Sequence, residues 1–366
     1  MNDELFYRLA LFVTPGISNG MIKKMIQKLG SAKSIYEADS RTIQKNFKIK
    51  IPPIELTSSI EKEVKREWIH IQKNGIKVAF FDQPEYPQRV QVCKSFPNLF
   101  FYLGEPLFNH DKVLSVVGTR EASNYGADVV QKLISEIAPS NPLIVSGLAL
   151  GIDTLAHEAA LKNNLKTIGI LGSGLGKIYP ASNIKLIHKM VQNGSTVMSE
   201  YLYHQTPDKT NFPERNRIIA SISDATLVVE TKTKGGSIIT AKMAHAYQKK
   251  LFAVPGSIFE SGQSGCNELI QNGMAKMVTS GKEILQMLFW DNPVVDSYQP
   301  SLFFDFSEEE EKLLRMIQKK GKLTIDEIVA QSVSNTPSQI VTQLLKLEFQ
   351  GIIECGPGKV YRIIKR

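Results

Sequence analysis

Short apolar runs alternate with segments of helical spacing between residues 113 and 278. Between most of the runs lie about 10–15 residues of helical pattern, as in 152–161 and 238–247. Apolar strands separated by helices are typical of a parallel sheet that is covered on both faces. We therefore predict an α/β, Rossmann-like domain with a doubly wound, mainly parallel sheet over residues 112–290. The runs are 113–117, 143–145, 167–171, 196–198, 225–229, 251–254 and 276–278.

The chain before this domain has helical spacing over residues 1–80. Pro15-Gly16 separates an apolar helix from a second one, which ends before Gly30. This order predicts a helix-hairpin-helix-like or SAM-like domain, whose turn N–H groups could hold a DNA phosphate. A packing module in which Gly16 serves only as a turn is an equal alternative. Residues 81–111 are rich in proline and aromatic residues, and we interpret them as an ordered connector.

The chain after this domain predicts a linker over 291–306 and a separate domain over 307–366. Ser307 and the acidic residues behind it indicate the start of a first helix. A short second helix, a third that opens at Pro337, and a hairpin around 355–359 complete a winged-helix pattern. The third helix is poor in arginine. A protein-contact or structural role is therefore favoured, and duplex DNA reading is the alternative.

Composition limits the class of protein and of partner. The 366 residues are 42% hydrophobic and 22% charged, as in soluble globular proteins. Lys and Arg total 44 against 36 for Asp and Glu, and this net charge of +8 favours an anionic partner. Cys93, Cys266 and Cys355 are dispersed, which argues against disulfides and zinc. With no signal-peptide layout and no apolar run near about 20 residues, a cytoplasmic protein without membrane contact is expected.

Several predicted strands end in glycine-bearing loops, at 118–120, 146–153, 172–176 and 234–237. Ligands of open parallel sheets bind beyond the carboxyl ends of the strands. Glycines let the backbone approach a phosphate closely, and serine hydroxyls add donors. These loops together predict an anion-binding edge. Its candidate contacts are Gly118, Ser146, Gly147, Gly172, Ser173, Gly174, Gly235, Gly236 and Ser237.

Residues 211–220 place an aromatic ring and two guanidinium groups at the start of a predicted helix. The opening of a helix offers unpaired N–H groups and positive dipole character, which favour phosphate. Phe212 offers a face for a nucleobase beside Arg215 and Arg217. Basic groups with a stacking ring are typical of single-stranded nucleic-acid sites. In the alternative interpretation, Phe212 belongs to the core and either arginine pairs with a carboxylate.

Arg120 is the last residue of the first glycine loop, and we interpret its planar guanidinium group as a phosphate-binding group. The alternative is a structural partner for Asp153 or Glu200. The 172–178 run is not a Walker A loop, because Leu171 stands at the first glycine position and Ile178 replaces Ser or Thr. G-x-G-x-x-G is also missing. Neither ATP hydrolysis nor hydride transfer is favoured, and no cofactor or metal is expected.

These loops, in this order, resemble the DNA-processing protein A family (DprA, also called Smf). The resemblance covers roughly residues 80–290. Gly176 departs from it, since the family usually has Asp there, and Gly235 stands where Ser is common. The matching runs are 117–120 (VGTR), 146–153 (SGLALGID), 171–183 (LGSGLGKIYPASN), 212–220 (FPERNRIIA), 235–244 (GGSIITAKMA), 253–257 (AVPGS) and 265–275 (GCNELIQNGMA).

The resemblance implies a dimeric, non-enzymatic protein that binds single-stranded DNA. In the family, such proteins protect incoming DNA during natural transformation and help to load the RecA recombinase onto it. By position, the family's DNA pocket falls on Arg120, Lys209 and Phe212, with Arg215 and Arg217 close by. The expected partners are single-stranded DNA, a RecA-type recombinase and a second copy of the chain.

Two other functions remain as less favoured alternatives. The related nucleotide phosphoribohydrolases carry P-G-G-x-G-T-x-x-E, whose Glu performs the chemistry. The corresponding run, 234–242, lacks the second-half Gly and the Glu. A winged-helix regulator acting through 307–366 would instead bind one duplex sequence more tightly than single strands.

Overall fold

A nine-stranded, mainly parallel sheet lies at the centre of the first unit, within the residues that the structure describes. The computed structural model describes residues 3–38, 47, 54–291, 306–332 and 336–364. The chain divides into two units, Met1–Thr279 and Ser280–Arg366. Each unit is described by itself below.

The sheet follows the order β1-β2-β6-β5-β4-β3-β7-β8-β9. Along this order, every pair of neighbouring strands in the stretch β6-β5-β4-β3-β7-β8-β9 is parallel, whereas β2 pairs antiparallel with both β1 and β6. The strands are β1 (Lys77–Phe80), β2 (Leu99–Leu103), β3 (Val113–Val117), β4 (Leu143–Ser146), β5 (Thr167–Ile170), β6 (Thr196–Ser199), β7 (Ala225–Val228), β8 (Lys250–Ala253) and β9 (Lys276–Met277).

Helices connect the parallel strands. They are α5 (Asn124–Ile137), α6 (Ile152–Lys162), α7 (Ile184–Gln192), α8 (Asn211–Ile222), α9 (Gly236–Ala246) and α10 (Ser264–Gln271). Every residue of β3 to β7 is buried, which explains why these strands read as continuous apolar runs. The prediction of an α/β fold with a mainly parallel sheet is confirmed, and each of the predicted strands is present.

The order of the strands reverses next to β3. The chain adds β4, β5 and β6 on one side of β3, passes through α8, and returns as β7 on the other side. Such a reversal opens a crevice beyond the carboxyl ends of the two central strands, where α/β proteins bind their ligands. The fold therefore places a potential ligand site beyond β3 and β7.

The sequence analysis did not predict β1 or β2. β2 lies within the segment 81–111 that we interpreted as a connector, and it extends the sheet by pairing Phe101 with Ser199. A five-residue apolar run among prolines has no helical or alternating pattern of its own. Its pairing with β6, a strand almost a hundred residues later in sequence, determines its structure. The domain boundaries stay a prediction.

The first unit begins with the helices α1 (Asp3–Val13), α2 (Asn19–Leu29), α3 (Ala32–Glu37) and α4 (Ser58–Lys73). Side-chain caps start three of them, at Ser18, Ser31 and Thr57. Arg8 of α1 binds Asp82 through two hydrogen bonds, of 2.6 and 2.7 Å, and thereby connects these helices to the chain that follows β1.

The second unit contains four helices and a small antiparallel sheet among its described residues. Capping boxes start α12, α13 and α14. The three helices and the hairpin that the sequence predicted are present. The elements are α11 (Gly281–Leu288), α12 (Glu308–Lys320), β10 (Leu323–Thr324), α13 (Ile325–Gln331), α14 (Pro337–Phe349), β11 (Ile353–Gly356) and β12 (Val360–Ile363), with sheet order β10-β12-β11.

Candidate nucleic-acid interface

An open pocket of about 660 Å³ lies beyond the carboxyl ends of β3 and β7. Its walls come from the loop after β3, the segment that leads into α8, and the loop between β7 and α9. Gly118 starts the first of these loops, and a Cβ there would lie only 2.7 Å from the Cβ of Ile152. The glycine therefore lets this loop pass close to α6 at the pocket wall.

Phe212 and Arg120 face each other in this pocket. Phe212 is half-buried in the first turn of α8, and the exposed Arg120 holds its guanidinium carbon 5.2 Å from the ring centroid. A cation at this distance is attracted by the ring. A Cβ on Gly172 would lie 3.0 Å from the Phe212 ring, so the glycine leaves room for the phenylalanine. Arg120 does not form the ion pair with Asp153 or Glu200 that we considered as an alternative.

Lys209 lies on the pocket wall just before α8, and it is exposed. The neighbouring Asp208 accepts hydrogen bonds from the backbone N–H and the hydroxyl of Thr210, at 2.8 and 2.6 Å. These bonds lower the pKa of the Asp208 carboxyl and fix the turn into the helix. The ammonium group of Lys209 is therefore presented to solvent from a well-defined turn.

The start of α9 forms another wall of the pocket. Gly236 is the first residue of this helix, so the N–H groups of Gly236 and Ser237 have no acceptor inside the helix, whereas that of Ile238 donates to the carbonyl of Gly235 at 3.1 Å. Partial positive charge collects at such an end. A Cβ added to Gly236 would meet no atom within 4 Å, whereas the hydroxyl of Ser237 is directed to Thr231 at 2.7 Å. Backbone rather than hydroxyl donors are available to a ligand here.

Arg215 lies at the bottom of the pocket and is only 4% exposed. Its Nη1 donates to the carbonyl oxygens of Gly147 and Ile170, and its Nε donates to Asn216 at 3.1 Å. Burial lowers the pKa of Arg215 to about 10, although the nearby Asp153 acts in the opposite direction. The guanidinium therefore connects α8 to the ends of β4 and β5. These bonds indicate that Arg215 supports the pocket from within the protein, and its direct contact with DNA stays a prediction.

Arg217 is also engaged within the protein. It forms an ion pair with Glu200, and the two side chains are 12% and 8% exposed. Burial raises the pKa of Glu200 to about 7, although Arg217 favours the charged carboxylate. Arg217 therefore fits the alternative interpretation, in which an arginine of this helix pairs with a carboxylate. The Arg217 side chain does not line the pocket.

The glycines of the loops after β4 and β5 do not line the pocket, whereas Ala149 and Asp153 of the first of these loops do. Ser146 donates its hydroxyl to the Val116 carbonyl at 2.6 Å, and Ser173 donates to Lys177 at 2.7 Å. Of the predicted contacts, the pocket brings together Gly118, Arg120, Lys209, Phe212, Arg215, Gly235, Gly236 and Ser237. It does not include Ser146, Gly147, Gly172, Ser173, Gly174 or Arg217.

Tyr179 and Lys232 are among the residues of the pocket wall that the sequence analysis did not predict. Tyr179 is 49% exposed, and its ring centroid lies 5.8 Å from that of Phe212. Lys232, in the loop between β7 and α9, is exposed, and its Nζ lies 3.8 Å from Oε2 of Glu121. The signals were an aromatic residue after the third glycine loop and a lysine before Gly235. Neither signal identifies a pocket without the fold.

Within the described ranges, no group of three or more His, Cys, Asp or Glu side chains is arranged to hold a metal ion. Over those same stretches, no helix combines the length and the apolar character that crossing a bilayer requires.

The fold and the pocket define the class of this protein. It is a Rossmann-like α/β protein with a pocket at the point where the strand order reverses. The pocket presents three exposed cations, Arg120, Lys209 and Lys232, together with a helix start and an aromatic face, which suits an anionic ligand with planar groups. The sequence model of the DNA recombination-mediator protein A family matches residues 77–289, more than half of the chain. The protein belongs to that family.

Curated relatives agree with this assignment. Protein Smf of Escherichia coli is 34% identical over 285 residues, which are 77% of this chain and 76% of the relative. DNA processing protein DprA of Streptococcus pneumoniae is 44% identical over 201 residues, 55% of this chain and 70% of the relative. The resemblance to the DprA/Smf family that the motifs indicated is confirmed.

Solved structures of the same family resemble the fold. The X-ray structure of DprA from Streptococcus pneumoniae has a TM-score of 0.64 and 32% identity, covering 77% of this chain and 97% of that one. A structure that describes the single-stranded DNA binding mode of DNA processing protein A from Helicobacter pylori has a TM-score of 0.53 and 31% identity. It covers 58% of this chain and 96% of that one.

Proposed function

We propose that this protein binds single-stranded DNA in the pocket beyond β3 and β7, with little dependence on base sequence. The observation that carries the proposal is the exposed guanidinium of Arg120 beside the ring of Phe212 in an open pocket. Cations that follow the backbone and rings that stack bases are the two components of sequence-tolerant sites. The Helicobacter pylori relative, whose structure describes a single-stranded DNA binding mode, supports the same ligand class.

Each side chain has a distinct role in this proposal. Arg120 and Lys209 neutralise backbone phosphates, and Phe212 stacks on a base. The loop at Gly118 and the start of α9 bring backbone N–H groups close to the strand. Arg215 supports α8 from below through its bonds to Gly147 and Ile170.

We infer a role in processing incoming DNA during natural transformation, in the cytoplasm and as a homodimer. The bound strand is protected and presented to a RecA-type recombinase. The family description as a recombination mediator and the relatives' names as DNA-processing proteins support this inference.

The protein acts by binding, without a catalytic step. The position of the glutamate that serves the phosphoribohydrolases is occupied here by Lys242, which cannot act as a carboxylate base. Ser237 directs its hydroxyl to Thr231, and Asp153 accepts N–H bonds from Gly147 and Ala149. These contacts support structural roles for the polar groups nearest to the glycine loops.

We assign the helices within 1–80 to a helix-hairpin-helix-like domain, with 81–111 as its connection to the domain over 112–290. Residues 307–366 form a winged-helix domain behind the linker 291–306. Val341, Leu345 and Phe349 are 37%, 45% and 90% exposed at four-residue spacing along α14. An apolar stripe is poorly suited to reading base edges, so it favours the protein-contact role for this helix.

The test is fluorescence anisotropy with single-stranded and duplex oligonucleotides of one sequence across a salt series. Lys162 provides a matched control, because it is an exposed lysine at the end of α6 and so lies at the opposite edge of the sheet. We expect preferential single-strand binding that is lost in Arg120→Ala/Lys209→Ala and retained in Lys162→Ala. Binding that favours the duplex, or that survives the double substitution, would contradict the proposal.

A further inference from the structure

Tyr179 presents an aromatic ring to the pocket next to Phe212. The ring is 49% exposed, and the two ring planes are inclined by 51° with 5.8 Å between their centroids. The two rings are therefore tilted relative to each other and do not stack on each other. Each ring leaves a separate surface available within one pocket.

The loop that carries Tyr179 is held in place by polar contacts. Asn183 donates from Nδ2 to the carbonyl of Leu148 at 2.9 Å and to the hydroxyl of Thr154 at 2.8 Å. On the other side of the tyrosine, Gly176 donates its N–H to the carbonyl of Tyr203 at 3.0 Å. The exposed ring is thus preorganised, which lowers the conformational entropy that binding would remove.

The angle and the distance between the two rings limit which nucleic acids can stack on both of them. Neighbouring bases of one strand in a duplex are about 3.4 Å apart and parallel. Two bases that rested on Phe212 and Tyr179 would be inclined to each other and farther apart, as the rings are. They could not stay stacked on one another, and a duplex would first have to unpair.

We propose that Tyr179 is a second base-stacking residue that selects single-stranded over duplex nucleic acid. One base rests on Phe212, and the base of the adjacent nucleotide rests on Tyr179. The strand is splayed between them, while Arg120 lies at the Phe212 ring. This inference rests on the proposed single-strand binding at the same pocket.

The experiment combines affinity with a local probe of stacking. Single-stranded oligonucleotides carry one 2-aminopurine, whose fluorescence falls on stacking, at successive positions of a short thymidine strand. The variants are Tyr179→Leu, which keeps apolar bulk without a π face, Tyr179→Phe, which keeps the ring, and Phe212→Leu. Thermal unfolding of each variant shows whether it remains folded.

We expect quenching at two adjacent positions in the unaltered protein and in Tyr179→Phe. Tyr179→Leu should lose one of the two signals and about five- to a hundredfold in single-strand affinity, with duplex affinity unchanged. Phe212→Leu should lose the other signal.

Two outcomes would overturn the inference while leaving the proposed function intact. In the first, Tyr179→Leu binds and quenches as the unaltered protein does, although Arg120→Ala/Lys209→Ala loses binding. In the second, Tyr179→Phe is as defective as Tyr179→Leu, which would assign the effect to the hydroxyl. If the double variant binds normally, the pocket itself is the wrong site and both proposals fail.

Discussion

Two pairs of cations differ in their surroundings: Arg215 and Arg217 in α8, and Arg120 and Lys209 on the exposed wall of the pocket, which we call the rim. Three of these four residues lie within nine residues of sequence. Arg215 is buried against backbone carbonyls, and Arg217, whose side chain is 12% exposed, is held by Glu200. Arg120 and Lys209 are exposed on the wall of the pocket. Only the rim pair can give up water contacts to a phosphate without breaking bonds inside the protein.

This difference shows that a run of basic residues does not by itself define a nucleic-acid contact. A buried guanidinium has lost its hydration and depends on its protein partners, so removing it leaves those partners unpaired. A rim cation is solvated before binding and contributes little to folding. The two pairs should therefore respond to mutation in opposite ways, one in stability and one in affinity.

The largest expected effect is on stability. Arg215→Ala should lower the free energy of unfolding by about 3–5 kcal/mol, because the carbonyls of Gly147 and Ile170 and the carboxylate of Asp153 lose their cation. Urea unfolding measures this. The matched variant Arg120→Ala should stay within about 1 kcal/mol of the unaltered protein. Equal free energies of unfolding for the two variants would show that Arg215 does not stabilise the fold.

The pH dependence of stability should also report on the buried charges. Burial raises the pKa of Glu67 to about 7, although its carboxylate accepts the Tyr203 N–H at 2.9 and 3.1 Å. Between the unfolded pKa of 4.5 and the folded value, the folded state binds more protons. Stability should therefore fall as the pH rises from 4.5 to 7, by on the order of 2 kcal/mol.

Glu67→Gln provides the control for this pH dependence, because it keeps a side-chain acceptor for Tyr203 and cannot ionise. Urea unfolding at pH 5 and pH 7 should show a smaller difference for the variant than for the unaltered protein. The residual slope should come partly from Glu200, whose pKa burial also raises to about 7. An identical slope in both proteins would remove Glu67 as a source of the pH dependence.

On the rim, the loss of the Phe212 ring should weaken binding. Phe212→Ala should cost about 1–3 kcal/mol of single-strand affinity per DNA site if the ring stacks a base. The dependence of affinity on salt should stay unchanged, because no charge is removed. Anisotropy titrations at several salt concentrations separate the two quantities. A changed salt slope with unchanged affinity would be inconsistent with stacking.

The smallest expected effect is on the salt dependence of binding, through the loss of one phosphate contact. Lys209→Ala should reduce the slope of log affinity against log salt by roughly 0.7 for a single strand. Lys162→Ala, which removes an equal charge at the opposite edge of the sheet, should leave the slope unchanged. A slope that does not change in Lys209→Ala would remove Lys209 from the site.

The sequence predicted β3 to β7 because every residue of these strands is buried, so that each strand reads as an apolar run. It did not predict β2, whose pairing with β6 depends on a distant part of the chain. The glycine loops indicated the edge of the sheet at which the pocket lies, since chain order and strand direction place them there. The inward orientation of the Arg215 side chain was not predictable, because its hydrogen-bond acceptors are the carbonyls of Gly147 and Ile170, which lie at the ends of two other strands.

The most direct test of the comparison measures folding and binding on the same two samples, the unaltered protein and Arg120→Ala/Lys209→Ala. We predict equal free energies of unfolding within about 1 kcal/mol, together with loss of preferential single-strand binding in the double variant. Retention of single-strand affinity by a fully folded double variant would contradict the assignment of the pocket rim as the DNA site.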